Sequence, residues 1–160
     1  MTADRTLNSL RRLVGSWITE ATHPKMPGVV VHGTAIIEWL EGERFLILRS
    51  RNDHPDFPDA ISIIGFTDRD RADGPTDKQP LHMHYYDSRG VYRDYDTSID
   101  DSAWHWERMS AGFSQRFTGT FADGGDTIVG ISQLCEDDGH WHDDLEITFR
   151  RSTMQEGKGG

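Results

Sequence analysis

From residue 15 onward the chain alternates apolar and polar residues with a period of two, and it does so in ten separate runs. Successive side chains of a strand point to opposite faces, so the pattern reads as half-buried β-structure. The runs cover 15–23, 29–39, 43–51, 60–68, 81–87, 90–98, 103–109, 113–122, 126–136 and 141–151. Most connectors are short and turn-forming, among them "LEGE", "DSRG", "MSAG" and "ADGGD". Short connectors between consecutive strands make hairpins, and a series of hairpins is an antiparallel meander. Ten strands are too many for a comfortable open sheet, and closure removes the edges that invite aggregation. The expected fold is therefore all-β, an antiparallel up-and-down ten-stranded barrel. Such a barrel is wider than its own side chains fill, so an internal cavity is the default functional site.

Before the strands, Leu7, Leu10, Leu13 and Val14 recur at helical spacing, which predicts one short N-terminal helix. The connectors 52–59 and 68–80 are long, charged and proline-bearing. The second reads as a solvated tip, whereas Phe57 suggests a rim or lid for the first. The 160 residues fit one domain over 1–151, with 152–160 as a disordered tail. Cys135 is the single cysteine, so neither an intramolecular disulfide nor a cysteine-based zinc cluster is expected. The start of the chain lacks the apolar core of a signal peptide and no run is long enough to span a bilayer, which points to the cytoplasm. A net charge of -10 disfavours nucleic acid and anionic membranes as partners, leaving small molecules or proteins.

The helix ending in "LRRLVGSW", the ten-strand meander and the last strand "DLEITFRR" resemble the lipocalin-like (calycin) β-barrels. The likeness is to a ten-stranded bacterial group that opens with a leucine-rich helix running into G-x-W, and "HYYDSRGVYRDYD" is similar to that group's tyrosine–aspartate hairpin. The resemblance implies a lipocalin-like barrel with the helix plugging one end and Trp17 beneath the cavity. The haem-binding nitrobindins share the architecture, with a G-x-W-x-G-x-G start and a haem-ligating histidine on the last strand. Here Thr19 and Ala21 replace the later glycines, and Asp144 falls at the position of the haem ligand. A carboxylate is a poor axial ligand, although His142 lies two residues away on the same strand face.

His82 and His84 share a strand face and could approach one ion or one ligand, but three or four ligands are needed for a metal site. Read as inward, His84 is a polar anchor or an acid/base group. On the last strand His142, Asp144, Glu146 and Thr148 share one face, and Trp141, Leu145, Ile147 and Phe149 the other. Burial logic points the apolar face inward. The family comparison points the polar face inward and assigns Leu145 and Phe149 to a homodimer contact, and that register is the one adopted. Asp144 and Glu146 would then be a proton-transferring pair or a structural pair satisfied by Arg49, Arg93 or Arg108. Trp104 and Trp106 share a face, as do Phe113, Phe117 and Phe121, giving either a core or an aromatic wall.

The sequence thus predicts a barrel enclosing a small amphipathic or aromatic organic ligand. Trp104, Trp106, Phe117 and Tyr86 form its walls, and Arg49, His84, His142 and Asp144 its polar anchors; no resident cofactor or metal is assigned. The alternatives are a cofactor-free isomerase, cyclase or hydrolyase using His84 or Asp144 for proton transfer, and a haem or metal barrel using His142 or the His82/His84 pair. No nucleophile elbow, phosphate-binding loop or dinucleotide glycine pattern is present.

Overall fold

The computed structural model describes residues 3–66, 81–136 and 139–152. Helix α1 (Ala3–Leu10) runs through a tight 3-10 turn into β1 (Gly15–Thr22), followed by β2 (Val31–Trp39), β3 (Phe45–Asn52), β4 (Ala60–Gly65) and β5 (Leu81–Asp87). The second half is β6 (Tyr92–Ile99), β7 (Ala103–Arg108), β8 (Ser114–Ala122), β9 (Thr127–Cys135) and β10 (Trp141–Arg151). Each strand pairs antiparallel with its sequence neighbours, and β10 returns to β1, with Trp17 opposite Arg151 and Thr22 opposite Glu146. The barrel is closed, as the alternation predicts. The connector over 67–80 and most of the 152–160 tail lie outside the described residues; Ser152 donates its backbone N–H to the Ser16 carbonyl at 2.7 Å. Among the described residues no helix is long and apolar enough to cross a membrane.

An eight-residue helix is marginal in water by itself, so α1 depends on what it covers. Leu7, Leu10 and Leu13 are buried against the barrel end formed by Trp17, Ile37, Leu46, Ile64 and Ile128. Each fully buried leucine contributes about 1.5–3 kcal/mol, and together they make the apolar floor of the barrel. Trp17 lies edge-on to Phe149 with ring centroids 6.2 Å apart and donates its Nε1–H to the Leu13 carbonyl at 2.9 Å. Arg151 fastens this end. Its guanidinium donates to the carbonyls of Val14 (2.6 Å) and Arg12 (3.0 Å), pairs with Asp126 at 3.1 Å, and lies 4.2 Å over the Trp17 ring. The glycine of G-x-W follows from the same contacts: Gly15 has φ of 141°, and a Cβ there would meet the Arg151 guanidinium.

The last strand departs from regular alternation. Asp143 pairs with Gln133 and Glu146 with Ile131, so Asp144 and Leu145 together oppose Ser132 in a β-bulge. The Ser132 hydroxyl accepts from the Leu145 N–H at 2.9 Å and donates to the Leu145 carbonyl at 3.0 Å, satisfying backbone groups that the bulge removes from the ladder. Leu145, Ile147 and Phe149 consequently face the lumen. The expected polar-inward register is corrected for Glu146, which is exposed outside. Leu145 and Phe149, read as a homodimer contact, are interior residues.

Replacing Arg151 by Met removes its carbonyl contacts and its ion pair but keeps most of the stem. The variant is expected to lose about 2–3 kcal/mol of unfolding free energy in urea titration; unchanged stability would show that Arg151 does not hold the helix end to the seam.

Candidate functional site

At the end remote from α1 the inward positions turn from apolar to polar, and a cavity of about 260 Å³ occupies this half of the lumen. That is at the small end of organic-ligand sites, which run roughly 300–1,000 Å³. Phe57 and Pro58, from the connector between β3 and β4, line its mouth, consistent with the rim expected of that loop.

One wall is aromatic. Trp106 on β7 and Phe117 on β8 stack at 4.9 Å with an interplanar angle of 8°, and Trp104 meets the edge of Phe117 at 5.4 Å. Tyr95 on β6 continues the wall 4.6 Å from Trp106, and Tyr85 on β5 stands edge-on to Tyr95 at 6.3 Å. Phe117 can lie flat because Gly130 and Gly119 face it: a Cβ at Gly130 would run into its ring, and one at Gly119 would crowd the ring and Ile128 together. Trp104 is fixed by its Nε1–H, which donates to Thr97 Oγ1 at 3.0 Å, while that hydroxyl donates to the His105 carbonyl at 2.7 Å.

The polar groups converge at the mouth. The Tyr85 hydroxyl donates to Asp87 at 2.7 Å, and the Arg89 guanidinium donates to the same carboxylate at 2.6 Å. The Arg89 contact, with help from the Tyr85 hydroxyl and the backbone N–H groups of Arg89 and Val91, holds the Asp87 carboxyl well below its usual range although its side chain is fully buried. Burial, and then the hydrogen bond to Asp87, push the Tyr85 phenol far up, so it stays a neutral donor committed to Asp87. The Tyr95 hydroxyl donates to Gln115 Oε1 at 3.0 Å; burial raises its pKa, and Arg93 and Arg108 pull it the other way. Arg93 lines the cavity with its guanidinium 5.2 Å over the Phe113 ring, and Arg108 donates to the Phe113 carbonyl at 2.9 Å.

Asp144 enters from β10. Its Oδ1 lies 2.7 Å from His23 Nε2, on the loop after β1, with both side chains about four-fifths buried. The Lys25 backbone N–H donates to His23 Nδ1 at 3.1 Å. Nδ1 is therefore an acceptor, Nε2 carries the hydrogen, and the imidazole donates to the carboxylate. Both ring nitrogens are used, which leaves Asp144 as the member of the pair that addresses the lumen.

Of the residues singled out from sequence, Trp104, Trp106, Phe117 and Asp144 are brought together around this cavity. Arg49, His84 and Tyr86 are not. Leu46 and Leu48 occupy the inward phase of β3, so Arg49 points outward and pairs with Glu38 at 2.8 Å. Leu81 and Met83 occupy it on β5, which turns His82, His84 and Tyr86 outward; His84 stacks on Tyr92 and lies 3.8 Å from Asp94. His142 pairs with Leu134 at the rim, where it is exposed and does not line the cavity. Among the described residues no three His, Cys, Asp or Glu side chains converge to hold an ion. Sequence reasoning missed Tyr85, Tyr95, Gln115 and His23. The first two follow from the phase of their strands once Leu81, Met83 and Ile99 are taken as inward, whereas His23 has no local signal.

No protein-family model matches the chain, and no curated protein does. Among solved structures, the S-type phycobiliprotein lyase of Guillardia theta superposes with a TM-score of 0.55 at 12% identity, over 96% of this chain and 94% of that one. A protein of unknown function from the DUF3598 family of Nostoc punctiforme matches over 92% of this chain and 99% of that one, at 8% identity and a TM-score of 0.29, too low to support an argument. The first likeness is one of fold, in keeping with a lipocalin-like barrel, and fold alone does not carry activity.

Because the Asp87 carboxyl is depressed in the folded state, its contribution to stability is present above the unfolded pKa of 3.8 and lost as pH falls through the lower folded value. Asp87→Asn should therefore cost about 2–3 kcal/mol at neutral pH, with the gap to the parent protein closing below about pH 4. A gap that stays constant down to pH 2 in chemical denaturation would contradict the ionised pairing.

Proposed function

We propose that the protein binds a small, flat, amphipathic organic molecule in the lumen of its barrel. The observation that carries this reading is the stacked Trp106–Phe117 pair, which forms part of the wall of a cavity of about 260 Å³ instead of a filled core. Protein interiors pack to crystal-like density with few voids larger than water. A hollow walled by aromatic faces, with polar groups gathered at its open end, has the make-up of a ligand site. A flat ring would continue the stack, and the hydroxyls and charges at the mouth would orient its polar end.

A second reading rests on the His23–Asp144 contact. A carboxylate positioned by an imidazole N–H at 2.7 Å and addressing a cavity is equipped to take a proton from a bound substrate. Asp144 would be the base and His23 its positioning residue, with no covalent intermediate. A haem site has less support: Asp144, which aligns with the nitrobindin ligand, is engaged by His23, and His142 stands at the exposed rim. A second copy of the chain, if one binds, would meet the outer row of Ile61, Tyr86 and Tyr92, exposed on the adjacent strands β4, β5 and β6, beyond which Arg49 of β3 separates it from Ile36.

Titration with small aromatic compounds should quench tryptophan fluorescence saturably, and Trp106→Leu should weaken the tightest of them about tenfold. Linear, unsaturated quenching throughout the series would remove the lumen as a binding site. Native mass spectrometry of protein from its own host separates the two readings: a molecule recovered unchanged supports carriage, and conversion abolished by Asp144→Asn supports proton transfer.

A further inference from the structure

Among the described residues two guanidiniums near the mouth lack an acidic partner: Arg93, which lines the cavity, and Arg108, which stands behind the lining residue Gln115. Arg93 is at an inward position of β6, two residues before Tyr95, and Arg108 is at an inward position of β7, two residues after Trp106 and directly across from Gln115. They flank one residue, Phe113: Arg93 stacks on its ring and Arg108 binds its carbonyl. Neither has a carboxylate within ion-pair distance among the described residues, although the chain holds 27 acidic residues against 17 basic ones. Arg151, also partly withdrawn from solvent, is paired with Asp126. Both are partly withdrawn from water and gathered on Phe113, and an anion within reach of both would offset the hydration they have lost.

The surroundings match one anion in particular. Guanidinium N–H groups present a planar fork complementary to a carboxylate, and the Tyr95 hydroxyl and Gln115 amide stand beside them. Deeper in the lumen Trp106 and Phe117 offer flat apolar faces. Across the barrel, separated from β6 by β7, β8 and β9, Asp144 places a negative charge on the facing wall. That charge disfavours a second anionic group on the guest at that end.

We infer that the cavity is a site for small aromatic monocarboxylates, with the carboxylate held at the mouth by Arg93 and Arg108 and the ring laid against Trp106 and Phe117. This rests on the lumen being a ligand site and adds the chemistry that selects the ligand. The guanidiniums supply orientation as well as affinity, because a carboxylate gripped there fixes which edge of the ring enters the lumen.

The test compares 2-naphthoate with its neutral counterpart 2-naphthamide, titrated into the full-length protein at neutral pH and followed by tryptophan fluorescence. The carboxylate should bind at least about tenfold more tightly than the amide. Arg93→Gln and Arg108→Gln should each remove about tenfold of naphthoate affinity and leave naphthamide unchanged, with Arg93→Lys falling between. Near-UV circular dichroism checks that the variants keep the fold, and the comparison of the two ligands on the parent protein needs no variant. Equal affinity for both compounds, or naphthoate binding indifferent to both arginine substitutions, overturns the carboxylate site and leaves the lumen reading standing. Failure of both compounds to bind overturns the two together.

Discussion

Closure of the sheet between β1 and β10 is the constraint from which the rest of the molecule follows. Once the last strand pairs with the first, no edge remains, and the in-or-out phase of each strand is tied to that of its neighbours all the way round. Trp17 opposite Arg151 and Phe117 opposite Ser132 belong to one continuous inner surface. A side chain on that surface cannot be turned outward without disturbing the ladder on both sides. Arg151 strengthens the seam where the two ends of the chain meet, by gathering carbonyls from the helical segment and Asp126 from the turn before β9.

The inner surface is graded along the barrel axis. Near α1 it is made of leucine, isoleucine and Trp17, packed together and buried. Towards the other end it passes through the Trp104, Phe117 and Trp106 layer to hydroxyls, amides and charges. The helix thus closes one end of the lumen: its leucines complete a floor that ten strands leave open. Burial and hydrogen bonding at the mouth then set the character of each group, keeping Tyr85 neutral and Asp87 ionised within 2.7 Å of each other.

Much of the architecture was legible because period two recurs ten times, and the limits of the last strand, 141–151, coincide with those expected. The phase of each strand was harder to read. On β5 the tyrosine doublet offers either face, and the histidines drew attention to the wrong one; Leu81 and Met83, both buried, settle it for Tyr85. On β3 the same test with Leu46 and Leu48 turns Arg49 outward. The last strand resists parity altogether, because the polar-inward register is right for Asp144 and wrong for Glu146, and the apolar-inward register is right for Leu145, Ile147 and Phe149. Only a bulge reconciles them. The partner of Asp144 was illegible for another reason: 121 residues separate it from His23, and no local pattern encodes a contact of that span.

The bulge on β10 has a bearing on how such a barrel acquires chemistry. It places two consecutive residues on the inner face opposite one, and so shifts the phase of the strand by one residue: the even-numbered positions face inward up to Asp144 and the odd-numbered ones from Leu145 on. The extra position adds a carboxylate to the inner wall while Leu145, Ile147 and Phe149 keep the inward phase that the core needs. A closed barrel can therefore carry a charged side chain among its apolar inner positions at the expense of one unpaired step, with the ladder regular on both sides of it.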